Sequence, residues 1–328
     1  MAPQLSLGDV ERARAVLARH LRPTPLRESL AVLGTDLRLK LECWQPTGSF
    51  KVRGATYLLS TLDDESLRRG VVAASAGNHA LGVAFAASRL GRIVQVTLFV
   101  PRTAPRAKVE KLRRFPVDVR VAGEAYDDAV EAARAFERQT GATFVHAYED
   151  PRTAAGQGTV GLEILDECPE VATVIVPVGG GGLIAGLATA VKARVPGARV
   201  VAVQPEASPA LRESLRLGRP LLTYPAGPTL ADGLSGGIGA IAFDHRDLVD
   251  EVVTVSEEEI EDAIVALLVA DQVVAEASGA VGVAALRAGK VASAGRGPVV
   301  AVITGGNLDA SVLARLLAAR YGRAEAVP

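Results

Sequence analysis

Short runs of apolar residues recur along the chain, and longer stretches with apolar residues at helical spacing separate them. The short runs predict β-strands, and apolar residues three or four positions apart predict amphipathic helices. Strands interspersed with helices are typical of parallel sheets covered by helices. The predicted strands comprise residues 37–42, 71–74, 94–100, 117–121, 143–145, 173–178, 200–203, 251–255 and 298–303.

Helical segments lie between these strands. Residues 10–21 carry apolar side chains at positions 10, 13, 17 and 21, and residues 127–139 are also helical in pattern. Ser256 and Glu259 match a capping box, which predicts the start of a helix. Because nine strands are many for one sheet of this kind, we expect an α/β fold with two open, twisted, mostly parallel sheets and helices on both faces.

Two segments depart from this alternation. Residues 171–191 carry no charge and approach the length of a membrane span, but Pro177 and four consecutive glycines interrupt them. We interpret them as a buried strand, a glycine loop and the start of a helix. Residues 218–239 are rich in proline and glycine and predict a long surface connection.

Charge and cysteine content narrow the class of protein. The 328 residues include 36 Lys and Arg against 37 Asp and Glu, a net charge of -1. This balance gives no bulk attraction to nucleic acid or an anionic membrane, so we expect a small-molecule partner. Cys43 and Cys168 predict two buried free thiols and suit a cytoplasmic location. Residues 1–14 lack the pattern of a secretory signal.

The first candidate loop, residues 45–51, ends in Lys51, which falls in the first turn of a predicted helix. Ser49 is placed to cap that helix. The positive end of the helix dipole disfavours the charged form of a lysine there, which favours attack of its amine on a carbonyl. Position alone favours an ordinary solvated lysine, so the interpretation depends on the neighbouring loops.

The second candidate loop joins an apolar strand to an alanine-rich helix that starts near Asn78. It consists of Ser75, Ala76, Gly77, Asn78 and His79. Free backbone N–H groups at a helix start, beside a hydroxyl and an amide, predict a carboxylate site. A lone histidine is more often a buried, hydrogen-bonded side chain than a base, so we interpret His79 as a ligand contact.

Four consecutive glycines form the third loop, between another strand and helix: Gly179, Gly180, Gly181 and Gly182. A tight turn needs one or two glycines, so four indicate close approach of the backbone to a ligand, and the helix start favours a phosphate. With Ala185 and Glu206 the same loop also fits a loose dinucleotide fingerprint, which leaves a nicotinamide-dependent oxidoreductase open.

A fourth element, residues 304–307, ends the last strand with a hydroxyl, two glycines and an asparagine. In open sheets ligands bind at the carboxyl ends of strands, so the four elements predict one composite site. In this order they resemble the pyridoxal-phosphate enzymes of the tryptophan-synthase-β-like fold (fold type II), and within them the serine/threonine dehydratase and serine racemase group. The resembling motifs are residues 47–55, 75–79, 155–159, 179–182, 231–233 and 304–307.

The resemblance implies a cofactor, pyridoxal 5'-phosphate, and a role for each motif. Lys51 would bind the cofactor covalently, with Phe50 beside its ring. Asn78 would meet the ring hydroxyl, Thr304 would meet the ring nitrogen, and the four glycines 179–182 would hold the phosphate. The residues implied for the substrate carboxylate are Ser75, Gly77, Asn78 and His79.

The resemblance also implies an architecture. A small domain of residues 70–147 would be set into a large domain of residues 1–69 and 148–328, and the enzyme would be a homodimer. Its reaction would be dehydration of a small amino acid, L-threonine or L-serine, to a 2-oxo acid and ammonia.

Several positions refine this expectation. A neutral Thr304 favours loss of a β-leaving group over transamination. Ala76 stands where serine racemases have a second acid–base serine, and Val52 stands where threonine synthases have an aspartate. Gln204 and Ala210 stand where some relatives bind a divalent cation through acidic side chains, so we expect no metal.

Other activities remain open from the sequence. They include threonine synthase, serine racemase and dehydration of another β-hydroxy amino acid. The oxidoreductase interpretation and a non-catalytic binding protein also remain, although an oxidoreductase would leave Lys51 and residues 75–79 unexplained.

Overall fold

The computed structural model describes residues 5–104, 106–124, 126–291 and 297–322. Of the segment 1–14, for which the sequence predicts no secretory signal, residues 1–4 lie outside the described residues. Its strands, β1 to β10, are Leu26–Glu28, Leu37–Lys40, Val71–Ala74, Val96–Val100, Asp118–Val121, Thr143–Phe144, Thr173–Pro177, Arg199–Pro205, Glu251–Val255 and Val299–Val302. Its helices, α1 to α13, are Leu7–Leu17, Lys51–Ser60, Asp64–Arg69, Asn78–Arg89, Arg106–Leu112, Tyr126–Thr140, Pro151–Glu167, Gly182–Arg194, Ala210–Leu217, Ala240–Asp244, Glu257–Asp271, Ala277–Arg287 and Ala310–Tyr321.

The strands form two sheets. The larger has the order β1-β2-β10-β7-β8-β9, and its edge strand β1 is antiparallel to β2 while the other described neighbours pair in parallel. The smaller has the order β5-β4-β3-β6 and is parallel throughout. The predicted α/β class with two mostly parallel sheets is therefore confirmed.

The predicted strands are all present, with ends that differ by no more than two residues. The sequence missed β1, because this strand has three residues and only partial burial, too little for an apolar run. Helix α1 begins three residues before the predicted start, because Ser6 and Asp9 form a capping box there. The capping box predicted at Ser256 and Glu259 is confirmed at the start of α11.

Both faces of the larger sheet are buried. Along β8, Val201 and Val203 pack into one hydrophobic cluster, while Val200 and Ala202 pack into another. Strands covered on both faces are largely apolar, which is why they form nearly continuous apolar runs in the sequence. Cys43 and Cys168 are buried free thiols, as predicted. Across the described ranges, no helix combines the length and apolar character that a bilayer crossing needs.

The connection at residues 218–239 is not simply a surface loop, so that prediction is wrong in part. Ala231, Leu234 and Ile238 are buried in it. A Cβ atom added to Gly179 would lie 2.7 Å from the carbonyl oxygen of Gly233. The connection therefore packs directly against the glycine loop at the carboxyl end of β7.

Candidate active site

Lys51 begins α2, and its side chain is half-buried. Its Nζ donates to the carbonyl oxygen of Ala147 at 3.1 Å and lies 5.2 Å from the centre of the Phe50 ring. Burial lowers the pKa of Lys51 to about 8, against the opposing charge of Glu276. From the sequence we expected the helix dipole to lower this pKa, whereas in the structure desolvation is the main cause. A fraction of this amine is therefore neutral, and nucleophilic, near neutral pH.

The segment before Lys51 pairs with the end of β10. The Phe50 N–H donates to the carbonyl oxygen of Thr304 at 3.0 Å, and Ser49 forms an antiparallel bridge with Gly305. This pairing directs Ser49 away from the helix, and no side chain among those described caps α2. The predicted Ser49 cap is therefore wrong. Its Oγ is buried and has no hydrogen-bond partner within the described structure.

Amide side chains link three of the predicted loops. Asn307 Nδ2 donates to the Thr47 carbonyl oxygen at 2.9 Å and to Asn78 Oδ1 at 2.7 Å. Asn78 Nδ2 donates in turn to Glu276 Oε1 at 2.7 Å. Lys111 Nζ, from the helix α5, donates to Asn307 Oδ1 at 3.3 Å. The loops after β3 and β10 and the Lys51 loop therefore meet at one place, as predicted.

The start of α4 offers free hydrogen-bond donors. Gly77 precedes the helix, and none of the described side chains caps it. Ser75 Oγ accepts the Gly77 N–H at 3.1 Å, and a side chain at Gly77 would extend into open space. An uncapped helix start beside open space presents backbone N–H groups to a ligand, and its dipole favours an anion.

His79 is buried, and its side chain turns away from this open space. The ring nitrogen Nε2 lies 2.8 Å from the carbonyl oxygen of Val145, so we assign the proton to Nε2. Burial lowers the pKa of His79 to about 3, and the charges of Lys51 and His146 add to the effect. The ring is therefore neutral and only weakly basic, so it is poorly suited to act as a base. Its Nδ1 has no partner within the described structure.

The glycine loop is closed in by its surroundings. Gly181 precedes α8 with φ of 91°, a conformation that L-residues with a side chain rarely adopt. A Cβ on Gly181 would collide with Ala242, and a Cβ on Gly180 would collide with the ring of Tyr148. A Cβ on Gly182 would lie 2.9 Å from the Tyr148 carbonyl oxygen. Each position therefore excludes a side chain, as a backbone cradle requires.

The segment after β6 joins Lys51 to the glycine loop. Ala147 accepts the Lys51 hydrogen bond, and the next residue, Tyr148, covers Gly180. His146 Nδ1 accepts the N–H groups of Tyr148 and Glu149 at 3.3 and 3.0 Å. The lysine and the glycine loop therefore flank the same short segment.

A buried ion cluster fixes α2 behind Lys51. The guanidinium of Arg53 donates to Glu42 at 2.7 Å through both Nε and Nη2, and to Glu163 at 2.6 and 2.7 Å. Lys40 Nζ lies 2.8 Å from Glu163 Oε2. Burial alone would raise the pKa of Glu42, but the charge and hydrogen bonds of Arg53 hold it below its usual range. This network ties α2 to β2 and α7.

Sequence reasoning missed two residues of the site. Glu276 is the only charged residue in the apolar stretch 273–286, which is a signal that could have identified it. Tyr148 gave no such signal, because only the fold brings it over Gly180. Within the described residues, no three His, Cys, Asp or Glu side chains gather as a metal site would require.

Two mostly parallel sheets, a half-buried lysine and a glycine loop at strand ends define a class of α/β enzyme that binds a phosphate-bearing cofactor. The comparisons with known proteins identify this class. Residues 17–305 match the family described as pyridoxal-phosphate dependent enzyme. The chain therefore belongs to the pyridoxal-phosphate dependent enzymes, and the predicted family and cofactor are confirmed.

Individual relatives are similar over nearly the whole chain. An L-threonine ammonia-lyase of Thermotoga maritima is 45% identical over 318 residues, which are 95% of this chain and 78% of that protein. The structure of maize serine racemase has a TM-score of 0.90 and 34% identity, covering 98% of this chain and 99% of the racemase. The processed form of threonine deaminase isoform 2 from Solanum lycopersicum has a TM-score of 0.85 and 32% identity, covering 94% of this chain and 86% of the deaminase.

Proposed function

We propose that this enzyme catalyses β-elimination from a β-hydroxy amino acid, L-threonine or L-serine, and releases a 2-oxo acid and ammonia. One observation carries the proposal above the others. The half-buried amine of Lys51 lies in one site with an uncapped helix start and the glycine loop, in a chain similar to L-threonine ammonia-lyases. The family match favours this activity over the nicotinamide-dependent alternative.

The residues of the site fit pyridoxal phosphate. The glycines 179–182 lead into the 13-residue helix α8, and their neighbours leave no room for side chains. Only backbone is therefore presented at this helix start, which suits a phosphate. Lys51 would hold the cofactor covalently, with Phe50 beside its ring. Asn78 would meet the ring hydroxyl, and Thr304 would meet the ring nitrogen. When bound, the cofactor supplies an electron-accepting ring.

Lys51 then serves as the base that removes the α-proton of the substrate. Its pKa of about 8 keeps part of the population neutral at physiological pH, as proton removal requires. Thr304 is buried and offers a neutral hydroxyl, which cannot hold a full positive charge beside it as a carboxylate would. This choice of residue favours loss of a β-leaving group over transamination.

The start of α4 would bind the substrate carboxylate. Ser75 would supply a hydroxyl, and Asn78 and His79 would supply backbone N–H groups. Gly77, whose own N–H donates to Ser75 Oγ, would leave open space for the carboxylate. The His79 side chain bonds to Val145, so its contribution would come through the backbone. The substrate would then lie with its α-carbon between this anchor and Lys51.

Racemisation is the second candidate, because the maize serine racemase structure is so similar. A racemase needs an acid–base group on the face of the substrate opposite the lysine. Ala76 adjoins the carboxylate anchor, and its methyl group can neither accept nor donate a proton. The proposal therefore favours elimination over racemisation.

We also propose the organisation of the whole protein. The smaller sheet lies within residues 71–144, which supports a small domain of residues 70–147 and a large domain of residues 1–69 and 148–328. The homodimer is proposed from the resemblance to the family. A cytoplasmic location without nucleic-acid or membrane partners agrees with the balanced charge and the buried free thiols.

The test is a product assay on the purified holoenzyme with L-threonine, L-serine and D-serine. The proposal predicts 2-oxo acid and ammonia in equal amounts from L-threonine or L-serine, and loss of turnover in Lys51→Ala. Chiral analysis of the remaining serine should show that D-serine forms far more slowly than pyruvate. Comparable rates would contradict the role given to Ala76, and no 2-oxo acid from either L-amino acid would contradict the proposed reaction.

A further inference from the structure

Gln204, in β8, is fully buried, and its amide makes three hydrogen bonds. Nε2 donates to the carbonyl oxygen of Val178 at 3.2 Å. Oε1 accepts the N–H groups of Leu211 and Arg212 at 2.9 and 3.2 Å. Val178 is the last residue before the glycine loop, and Leu211 and Arg212 lie in the first turn of α9. The Gln204 side chain therefore connects the start of the glycine loop to α9, the helix that follows β8.

Val178 is held on both of its backbone polar groups. Its N–H donates to the Val203 carbonyl oxygen at 2.9 Å, and its own carbonyl oxygen accepts from Gln204. The glycines that follow have no side chains to restrict them, so their positions depend on anchors outside the loop. One such anchor is the hydrogen bond from the Gly239 N–H to the Gly180 carbonyl oxygen, at 2.9 Å.

Residues 204–208 also bind the connection at residues 218–239, which packs against the glycine loop. Ser208 Oγ accepts the Gly236 N–H at 3.0 Å and lies 3.3 Å from the Gly236 carbonyl oxygen. Gly236 belongs to the connection at residues 218–239, which packs on Gly179 through Gly233. Residues 204–208 therefore hold both the start of the glycine loop and the chain that packs against it.

We propose that Gln204 is a positioning residue for the cofactor phosphate, acting through Val178 to preorganise the glycine loop. The proposal rests on the assignment of the phosphate to that loop. An amide suits the task because it donates at one end and accepts at the other, whereas a carboxylate would accept at both and repel the Val178 carbonyl oxygen. Because the amide is neutral, this anchor also requires no divalent cation.

The test compares two glutamine-to-glutamate variants. Gln204→Glu keeps the shape of the side chain and, when ionised, loses the donor to Val178. Gln272→Glu is the matched control, because Gln272 Nε2 also donates to a backbone carbonyl oxygen, that of Val269 at 3.1 Å, on an exposed surface. Apoprotein of each variant is titrated with pyridoxal phosphate and, separately, with pyridoxal, which lacks the phosphate.

We expect the Kd for pyridoxal phosphate to rise about tenfold in Gln204→Glu, the factor that ~1.4 kcal/mol of lost loop stabilisation gives. The Kd for pyridoxal should change by less than about twofold, and the control should match the wild type in both. Addition of EDTA to the wild type should leave its Kd unchanged.

An equal rise in the Kd for pyridoxal would show a general structural role for Gln204 and overturn the proposal. An unchanged Kd for pyridoxal phosphate would also overturn it. Gln204→Met is titrated alongside, because its uncharged side chain removes the donor at any pH, and it decides the outcome by the same ratio if Gln204→Glu stays protonated or does not fold. Failure of the wild type itself to bind pyridoxal phosphate would instead refute the proposed function.

Discussion

Arg53→Met should destabilise the protein strongly, because it removes the guanidinium between two buried carboxylates. Glu42 is fully buried, and Arg53 bonds to both of its oxygens. Glu163 would keep Lys40 as a partner at 2.8 Å, whereas Glu42 would keep no charged group at hydrogen-bond distance among those described. Breaking a buried pair by removal of one partner costs about 3–5 kcal/mol, and we expect a loss of that order.

The loss should depend on pH in a definite direction. Arg53 holds the pKa of Glu42 below its usual range in spite of burial, which acts in the opposite sense. A lowered folded-state pKa adds stability above the unfolded-state value of about 4.3, and this stability is lost as the pH falls through the folded-state pKa. In Arg53→Met the hydrogen bond from Thr24 and the charge of Lys40 still oppose burial, but the charge and hydrogen bonds of Arg53 are gone. Glu42 should therefore protonate at a higher pH than in the wild type. The difference between variant and wild type should therefore shrink on acidification.

The measurement is urea unfolding of the apoproteins followed by circular dichroism, at neutral and at mildly acidic pH. The control is Arg14→Met, the same substitution at the surface pair of Arg14 and Asp166, whose atoms lie 2.8 Å apart. An exposed pair contributes less than about 1 kcal/mol, so this control should lie close to the wild type. A cost of Arg53→Met no larger than that of Arg14→Met, or a difference that grows at acidic pH, would refute the reasoning.

Three further predictions concern the site itself. The rate of covalent capture of pyridoxal phosphate by the apoprotein should rise with pH around 8 and level off above it, because deprotonation of Lys51 makes its amine nucleophilic. Stopped-flow absorbance measures this rate. A rate that stays constant from about pH 6 to about pH 10 would contradict the lowered pKa of Lys51. Gly181→Ala should weaken cofactor binding about a hundredfold or more, because its Cβ would collide with Ala242 at a positive φ, whereas Gly197→Ala, with open space around its Cβ, should bind normally in the same titration. Ala76→Ser should increase the formation of D-serine relative to pyruvate, which chiral chromatography detects, and an unchanged ratio would show that a hydroxyl at this position does not supply the second proton.

The sequence predicts the fold well where physical constraints act locally. Strands buried on both faces are largely apolar, and helix starts such as Ser256 carry their own capping residues. The strand β1 escapes detection because its pairing with β2 on the sheet edge, and not its composition, makes it a strand. The prediction at Ser49 fails for a related reason, since its bridge to the distant Gly305 overrides the local capping preference.

The candidate site divides in the same way. Lys51 and the glycines 179–182 are recognisable from short motifs, because their chemistry depends on residue type and on a helix start. The lowered pKa of Lys51 depends on burial, which no local pattern shows. Tyr148 contacts Gly180, and Gln204 contacts Val178, only after the chain has folded. The residues next to them in the sequence therefore do not indicate these contacts.

The covalent link between Lys51 and the cofactor is the central claim, and borohydride reduction of the holoenzyme tests it most directly. Reduction should fix the cofactor on one lysine, which peptide mapping by mass spectrometry then locates. We predict the label on Lys51 alone, with loss of the visible absorption band and of turnover in the reduced protein. A label on another lysine, or none on a protein that still forms 2-oxo acid from L-threonine, would contradict it.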